Sequence, residues 1–278
     1  MNTPRLRSVN YRAPDGMASP TGLTPPDTVV YAIGDIHGRY DLLETIQRGI
    51  AFDARMRRAQ RKVIVYLGDY LSRGHDSRRA VERVLEWRPG DCGQVEIVAL
   101  KGNHEDLALR FLGGELSAGR HWFDYDGRDA LRHYGVQVHD GAPLDDDAMQ
   151  ALRARFAAAI PAHHLEFFRG LKSCHREGGY HFVHAGVRPG VALAEQGEHD
   201  QMWIRTRFLE SGEDHGATII HGHSSASEPQ VRHNRIGIDT GAYQSGVLTA
   251  LAIEDERRWF LATEADEGRS LGYVSAAA

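Results

Sequence analysis

Short apolar runs and longer amphipathic stretches alternate along the first part of the chain. Each apolar run has the length of a strand and precedes a segment whose apolar positions recur every three or four residues, as in a helix that packs on a sheet. The pairs are TVVYAIG with DLLETIQRGI, KVIVYLG with DSRRAVERVLEW, and VEIVAL with EDLALRFLG. This alternation predicts an α/β layer fold.

The later part of the chain is mostly strand-like, with one helical stretch near residues 200–210. Its strand-like segments are YHFVHAG, TIIHGHS, RIGIDTG, GVLTALAIED and RRWFLAT. Residues 114–170 contain helical pieces such as DDDAMQALRARFAAAI, which predict a helical insertion or lid. We expect one domain over residues 28–266, a loose Pro-rich leader over 1–27 and a loose tail over 267–278.

The composition is that of a globular protein, because 41% of the 278 residues are hydrophobic and 26% are charged. The formal net charge of −5 indicates neither a nucleic-acid footprint nor attraction to an anionic membrane. Cys92 and Cys174 lie far apart, and no signal peptide or membrane span is visible. We therefore expect a cytoplasmic protein, and the sequence leaves its oligomeric state open.

Glycine and polar residues follow each of the three apolar runs in the first part of the chain. These clusters are GDIHG at 34–38, GDYLSRG at 68–74 and KGNHED at 101–106. Ligands of open α/β sheets gather at the carboxyl ends of the strands. We therefore expect the three loops to share one edge of the sheet.

The side chains at the strand ends are of the types that bind divalent metal ions. They are Asp35, His37, Asp69, Asn103, His104, His184, His221 and His223. Carboxylate, imidazole and amide oxygen suit Mn²⁺, Fe²⁺ or Zn²⁺. Asp35 and His37 are two residues apart, so extended backbone would point both to one side. There are more donors than one ion needs, which predicts two ions about 3.5–4 Å apart that share Asp69.

The order of GDIHG, GDYLSRG, GNHE, HAG and GHS resembles the metallophosphoesterase superfamily, and within it the phosphoprotein phosphatase group. FVHAGVRPG, WIRTRFLES and IGIDTGAYQSGVLTAL are similar to its bacterial Ser/Thr phosphatase-like branch. The resemblance spans residues 29–265. It implies a four-layer αββα fold, in which two sheets lie between helices, and a centre of two divalent ions, with Mn²⁺ favoured over Fe or Zn²⁺.

The resemblance also implies which residues hold the two metals. In chain order, these ligands are Asp35, His37, Asp69, Asn103, His184 and His223. Asp35 and His37 would bind the first metal, Asp69 would bridge both, and the remaining three would bind the second. His221 lies on the same side of its strand as His223, and we expect it to support the site without binding a metal.

Three further residues are candidates for the chemistry. Arg73 has a planar guanidinium that can bind two phosphate oxygens. The resemblance makes His104 the acid that protonates the leaving oxygen and Arg205 a second phosphate arginine, although Arg205 also fits a helix-surface ion pair. The implied reaction is hydrolysis of a phosphoprotein or small phosphate ester by a hydroxide that bridges two metals.

Ser72 departs from the pattern of the family, which has an aspartate there to pair with the histidine that corresponds to His104. A hydroxyl stabilises an imidazolium far less than a carboxylate does. Another carboxylate such as Asp76 could fill the gap. Alternatively, the substrate has a good leaving group, as in symmetrical dinucleoside tetraphosphate hydrolases, which also lack this acid. A third interpretation is that the protein is weakly active or catalytically silent and serves as a phosphate-binding or regulatory protein.

Two other stretches have more than one interpretation. Trp122, Phe123 and Tyr125 could stack on a nucleobase, although such clusters more often pack a helix onto the body of a protein. The IDTGA stretch, residues 238–242, indicates a buried strand followed by a glycine turn. We interpret IDTGA as scaffold.

Overall fold

The computed structural model describes residues 6–10, 20–141 and 144–264 of the chain. The predicted tail over 267–278 lies outside these ranges. Within them, no helix combines the length and the apolar character that crossing a membrane requires.

The described ranges contain strands in both parts of the chain and helices mainly in the first. The strands are β1 (Leu6–Asn10), β2 (Thr28–Ile33), β3 (Arg61–Tyr66), β4 (Gln94–Ala99), β5 (Cys174–Glu177), β6 (Tyr180–Val183), β7 (Thr218–His221), β8 (Gln230–Val231), β9 (Arg235–Gly237), β10 (Thr249–Glu254) and β11 (Arg257–Thr263). The α-helices are α1 (Tyr40–Met56), α2 (Ser77–Glu86), α3 (Asn103–Leu112), α4 (Leu116–Phe123), α5 (Gly127–His133), α6 (Asp146–Ala159), α7 (Ala162–Arg169), α8 (Glu198–Trp203), α9 (Thr206–Leu209) and α10 (Ala242–Ser245).

The first sheet has the strand order β1-β11-β10-β2-β3-β4. Its strands β2, β3 and β4 are parallel, and helices α1, α2 and α3 follow them in turn. Every residue of β2 is buried, as expected for a parallel strand that is covered on both faces. The strand and helix pairs predicted from the apolar pattern are therefore present.

The second sheet has the order β5-β6-β7-β9-β8, with β6, β7 and β9 parallel. An apolar cluster that includes Val30 and Val63 of the first sheet and Phe182 and Ile220 of the second fills the space between the sheets. Helices α1 to α7 cover the outer face of the first sheet, and Phe208 of α9 packs on the outer face of the second. The predicted fold of two sheets between helical layers is confirmed.

Helices α4 to α7 occupy the region where the sequence predicts a helical insertion. Trp122 and Phe123 belong to the main apolar cluster and are 0% and 5% exposed. These two rings pack α4 onto the body of the protein, so they are not free to stack on a nucleobase. Tyr125, in contrast, is half-buried.

Strand β1 lies within the segment that the sequence predicts to be loose. It pairs with β11 in antiparallel register, with Leu6 opposite Thr263. Leu6 also packs against α1, where its methyl groups occupy the space that a Cβ on Gly49 would need. A five-residue edge strand with two apolar residues is too short for its pattern to be visible in sequence.

Candidate metal and phosphate site

The ends of β2 and β3 hold two of the predicted loops against each other. The N–H groups of Ile36 and His37 both donate to the carbonyl oxygen of Asp69, at 3.1 and 2.8 Å. The N–H group of Gly38 donates to the carbonyl oxygen of Tyr70 at 2.9 Å. Since β2 and β3 are parallel neighbours, both loops lie at the same edge of the sheet.

The buried carboxylate of Glu105, in the first turn of α3, fixes the loop after β3. It accepts hydrogen bonds from the N–H groups of Asp69 (2.9 Å), Tyr70 (2.9 Å), Leu71 (3.1 Å) and Gly102 (3.1 Å). Burial, and next the charge of Asp69, raise the pKa of Glu105 to about 8, while the N–H donors lower it. The sequence reasoning missed Glu105, although an acid three residues after a helix N-cap is a capping-box signal.

Five residues of the candidate site have positive φ angles. They are His37 (44°), Asp69 (52°), Ser72 (71°), Arg73 (63°) and His223 (61°). This conformation costs about 1–2 kcal/mol for each L-residue, and such strain clusters at functional sites. Their concentration at this edge of the sheets supports its choice as the candidate functional site.

Two groups of three potential metal ligands lie side by side and share Asp69. One contains His37, Asp69 and His104, the other Asp69, His184 and His223, and the ligand atoms within each group lie within 4.8 Å of one another. The Oδ2 atom of Asp69 is 3.4 Å from Nε2 of His37, and its Oδ1 atom is 3.5 Å from Nε2 of His184. The two oxygens of one buried carboxylate thus face different groups.

Asp35 and Asn103, two other predicted ligands, flank these groups. The N–H group of His223 lies 3.2 and 3.1 Å from the two carboxylate oxygens of Asp35. The Oδ1 atom of Asn103 is 3.0 Å from Nε2 of His184. All six predicted ligands therefore lie together, but the group around His37 includes His104, whereas the sequence predicts Asp35 as its partner.

Three buried carboxyl groups concentrate negative charge at this edge. Burial, followed by the charges of Asp239 and Asp69, raises the pKa of Asp35 well above its usual value. Burial also raises the pKa of Asp69, to about 7. Asp239, which we interpreted only as scaffold, accepts hydrogen bonds from Oγ of Ser225 at 2.7 Å and the N–H group of Gly241 at 2.8 Å. Bound cations would offset the cost of burying these charges.

The histidines are oriented as metal ligands require. The Nδ1 atoms of His37 and His184 lie 2.9 Å from the carbonyl oxygens of Leu71 and Leu67, which leaves their Nε2 atoms facing the site. The buried Nε2 atom of His223 has no hydrogen-bond partner among the described residues. Burial lowers the pKa of His184 to about 4, which keeps the imidazole neutral. Neutral imidazoles and carboxylates together fit a divalent cation.

His221 is buried but faces a different set of atoms. Its Nδ1 atom is 3.1 Å from the carbonyl oxygen of Gly222, and its Nε2 atom is 3.4 Å from the guanidinium of Arg235. His223, and not His221, belongs to the group that contains Asp69.

Arg73 lies directly beside the first group. One of its terminal nitrogens is 3.1 Å from Nε2 of His37, and its guanidinium carbon lies 4.5 Å from the centre of the Tyr243 ring. Its Nε atom is 3.6 Å from a carboxylate oxygen of the exposed Asp126. The guanidinium is thus held at the site with one face on an aromatic ring.

Arg205 is exposed at the start of α9. Within the described part of the chain, its guanidinium forms no ion pair, so the helix-surface pairing considered from the sequence is absent. Burial is the main reason why the pKa values of His184 and His223 are lowered, and the positive charge of Arg205 lowers both further. Arg205 therefore contributes positive charge near these two imidazoles.

The imidazole of His104 lacks the carboxylate partner that the family pattern implies. Its buried Nδ1 atom has no hydrogen-bond partner within the described ranges. The Ser72 hydroxyl instead accepts a hydrogen bond from Nε1 of Trp122 at 3.0 Å. Asp76, the suggested substitute, caps α2 by accepting the N–H group of Arg79 at 2.9 Å. Neither Ser72 nor Asp76 hydrogen bonds to His104.

An aromatic rim, formed by Tyr125, Trp203 and His121, stands beside the two groups of ligands. The Tyr125 ring centre is 6.4 Å from that of His104, and the Trp203 ring centre is 6.2 Å from that of His223. His121 stacks on Trp203 at 5.4 Å with 29° between the planes. The sequence reasoning missed Trp203 and His121, because the rim combines residues from separate helices, α4 and α8, and no local pattern joins them.

The sequence profile of the family described as calcineurin-like phosphoesterase matches residues 28–247. An asymmetrical bis(5'-nucleosyl)-tetraphosphatase PrpE of Bacillus mycoides is 25% identical over 244 residues, which cover 79% of this chain and 88% of that relative. Serine/threonine-protein phosphatase 2 of Escherichia coli K12 is 25% identical over 242 residues, which cover 81% and 93% of the two chains.

Solved structures share the fold. A cold-active protein-tyrosine phosphatase of a psychrophilic Shewanella species is similar with a TM-score of 0.53 at 18% sequence identity. The match covers 88% of this chain and 85% of that one. At this identity the similarity concerns the fold alone.

Proposed function

Because the chain belongs to the calcineurin-like phosphoesterase family, we propose that it is a metal-dependent hydrolase of phosphate monoesters, similar to Ser/Thr protein phosphatases. The observation that carries this proposal is the position of Asp69, whose two oxygens face different groups of histidines. A carboxylate shared in this way suits a pair of metal ions. The similarity to serine/threonine-protein phosphatase 2 supports the substrate class.

Two divalent ions would bind on either side of Asp69, with Mn²⁺ favoured and Fe or Zn²⁺ as alternatives. Their proposed ligands are Asp35, His37, Asp69, Asn103, His184 and His223. Bound there, such ions would supply a water-derived nucleophile near neutral pH and neutralise the charge of the phosphoryl oxygens.

Arg73 would bind the phosphate of the substrate. Its guanidinium lies beside His37 and can offer two parallel N–H groups to phosphoryl oxygens. The competing contact with Asp126 is 3.6 Å long and involves an exposed carboxylate, so a phosphate would displace it readily. The exposed Arg205 would add positive charge that attracts an anionic substrate.

His104 would protonate the leaving oxygen, but at neutral pH it would seldom carry the proton that this step needs. Burial lowers its pKa well below the usual value, its Nδ1 atom has no hydrogen-bond partner within the described residues, and a carboxylate oxygen of Asp69 lies 3.9 Å from its Nε2 atom, beyond hydrogen-bonding distance. A leaving group that is stable as an anion needs little protonation. We therefore propose that aryl and nucleotide phosphates react faster than alkyl phosphates.

The test is hydrolysis by metal-stripped protein before and after addition of Mn²⁺. The substrates are p-nitrophenyl phosphate, a phosphotyrosine peptide and a phosphoserine peptide. We expect Mn²⁺ to restore phosphate release, with the two aryl esters ahead of the serine ester. No release from any substrate by folded protein with Mn²⁺, Fe²⁺ or Zn²⁺ would favour the silent phosphate-binding alternative.

Dinucleoside tetraphosphate hydrolysis is a second candidate function, and the aromatic rim favours it. Tyr125 and Trp203 lie beside His104 and His223, where they could stack on a nucleobase whose phosphates reach the ligands. The PrpE relative is named for the asymmetrical form of this activity, whereas the sequence led us to consider the symmetrical form. Diadenosine tetraphosphate as substrate separates them, since asymmetrical cleavage yields ATP and AMP and symmetrical cleavage yields two ADP.

A further inference from the structure

A cluster of one carboxylate and two imidazoles joins helices α2 and α7, apart from the site described above. Glu82 lies on α2, and His163 and His164 lie in the first turn of α7. One oxygen of Glu82 is 3.1 Å from Nε2 of His163 and 2.5 Å from Nε2 of His164. We propose that these three side chains form a separate binding site for one Zn²⁺ or a similar borderline divalent cation.

The spacing of the three ligand atoms is close to that of a tetrahedral site. They lie within 4.8 Å of one another, and the two imidazole planes are at 84° with ring centres 4.5 Å apart. In a tetrahedral zinc site with bonds of about 2.0–2.1 Å, neighbouring ligand atoms are about 3.3 Å apart. Small side-chain rotations would therefore admit a cation between atoms that now share hydrogen bonds.

Tyr134 holds His164 in the orientation that a ligand needs. Its hydroxyl is 2.8 Å from Nδ1 of His164, and both residues are buried. In place of the hydrogen bond to Glu82, a cation would take the lone pair of Nε2, and the proton would then lie on Nδ1, from which the phenol oxygen can accept a hydrogen bond. Ligating histidines usually have such a partner on the second ring nitrogen, and it fixes the ring.

The charge states also suit cation binding. Burial lowers the pKa of His164, so the imidazole is neutral at neutral pH. Hydrogen bonds from His164 and His163 lower the pKa of Glu82, so its carboxylate is ionised. The positive charge of Arg78, one turn earlier on α2, opposes the binding of a cation. Arg78 is exposed, so solvent and salt screen this repulsion well.

The cluster is accessible on one side only. The side chain of His164 is fully buried, whereas those of Glu82 and His163 are 40% and 57% exposed. A cation could enter from solvent and keep a water as its fourth ligand. A bound cation would link α2 to α7. Oγ of Ser77, at the start of α2, accepts a hydrogen bond from the N–H group of Ser72, so this link would also stabilise the loop that carries Arg73.

The test is footprinting of His163 with diethylpyrocarbonate, which acylates accessible neutral imidazoles, followed by peptide mass spectrometry. We expect Zn²⁺ to lower the modification of His163 several-fold. The exposed His139 is the internal control, and its modification should not change. This signal comes from one residue, so metal binding at the other site does not affect it.

Two matched variants assign the protection to the cluster. Glu82→Gln should abolish the protection of His163 and lower the zinc retained after gel filtration by one ion per chain. Glu86→Gln, at an exposed position one turn further along α2, should behave like the unmodified protein. Equal modification of His163 with and without Zn²⁺, or protection that persists in Glu82→Gln, would overturn the proposal. Phosphatase activity plays no part in either measurement.

Discussion

Two regions of the candidate site hold their histidines differently. One surrounds the proposed metal ligand His184 and is called the metal-binding side, and the other surrounds the proposed acid His104 and is called the leaving-group side. On the metal-binding side, the Nδ1 atom of His184 lies 2.9 Å from the carbonyl oxygen of Leu67. On the leaving-group side, the equivalent atom of His104 is buried with no partner among the described residues. Both imidazoles are buried, but a backbone hydrogen bond fixes the tautomer of only the first.

The difference separates two requirements of phosphate ester hydrolysis. A histidine ligand must be neutral and correctly oriented before a cation binds. The hydrogen bond to a buried backbone carbonyl provides this orientation for His184. An acid must instead be held protonated, which needs a negative neighbour. Ser72 provides no negative charge, because its side chain is a neutral hydroxyl. That hydroxyl accepts the hydrogen bond of Trp122. With the proposed roles, such a site would bind its metal ions but would depend on substrates whose leaving groups are stable as anions.

The largest expected effect is on the metal-binding side. Asp69→Asn removes the charge and one of the oxygens that the two groups of ligands share. We expect kcat/KM for p-nitrophenyl phosphate to fall about 10³-fold, together with a loss of bound metal measured by elemental analysis. Asp147→Asn, at an exposed position in α6, is the control. Retention of both metals and most of the activity by Asp69→Asn would contradict the assignment.

A second variant acts on the scaffold of the same side. The carboxylate of Glu105 accepts hydrogen bonds from four N–H groups. In Glu105→Gln, an NH₂ group replaces one of the accepting oxygens and faces some of these donors. Unsatisfied buried donors should lower the free energy of unfolding by about 2–3 kcal/mol, measured by urea denaturation. Displacement of the Asp69 loop should also lower kcat about 10²-fold. An unchanged unfolding midpoint would show that Glu105 does not hold the loop.

On the leaving-group side, Ser72→Asp should restore an anion near His104. The position has a φ of 71°, which aspartate tolerates better than most residues. We expect hydrolysis of a phosphoserine peptide to rise about tenfold while that of p-nitrophenyl phosphate changes little. Ser72→Asn is the neutral control of equal size. Equal gains for both substrates, or a gain with asparagine, would mean that the missing charge does not limit the rate.

The smallest expected effect concerns Arg205, which lies outside both sides and makes no ion pair in the described part of the chain. Arg205→Ala should raise KM for phosphate esters a few-fold at low ionic strength, and salt should reduce the difference, because the charge acts through solvent. Arg207→Ala, at another exposed position in α9, should have less effect. A large fall in kcat would instead indicate direct contact with the reacting phosphate.

Site residues that directly follow neighbouring strands could be predicted from the sequence. GDIHG and GDYLSRG follow apolar runs, and parallel pairing of β2 and β3 is enough to bring Asp35 and Asp69 to one edge. His184 and His223 follow from the same rule in the second sheet. Motifs at strand ends are local in sequence, and the fold converts them into a site.

Features made by contacts between distant segments could not be predicted. The hydrogen bond between Ser72 and Trp122 joins residues 50 positions apart, and nothing local indicates it. The stacking of His121 on Trp203 depends on how α4 meets α8. Strand β1 was invisible for a related reason, since five residues carry too little pattern and its partner, β11, lies at the far end of the described chain.

Whether Asp69 lies between two metal ions can be seen in a crystal structure of the protein grown with Mn²⁺, with anomalous diffraction measured on both sides of the manganese absorption edge. We predict two manganese peaks about 3.5–4 Å apart, with the carboxylate of Asp69 between them. A single peak, or two peaks without Asp69 between them, would contradict this prediction.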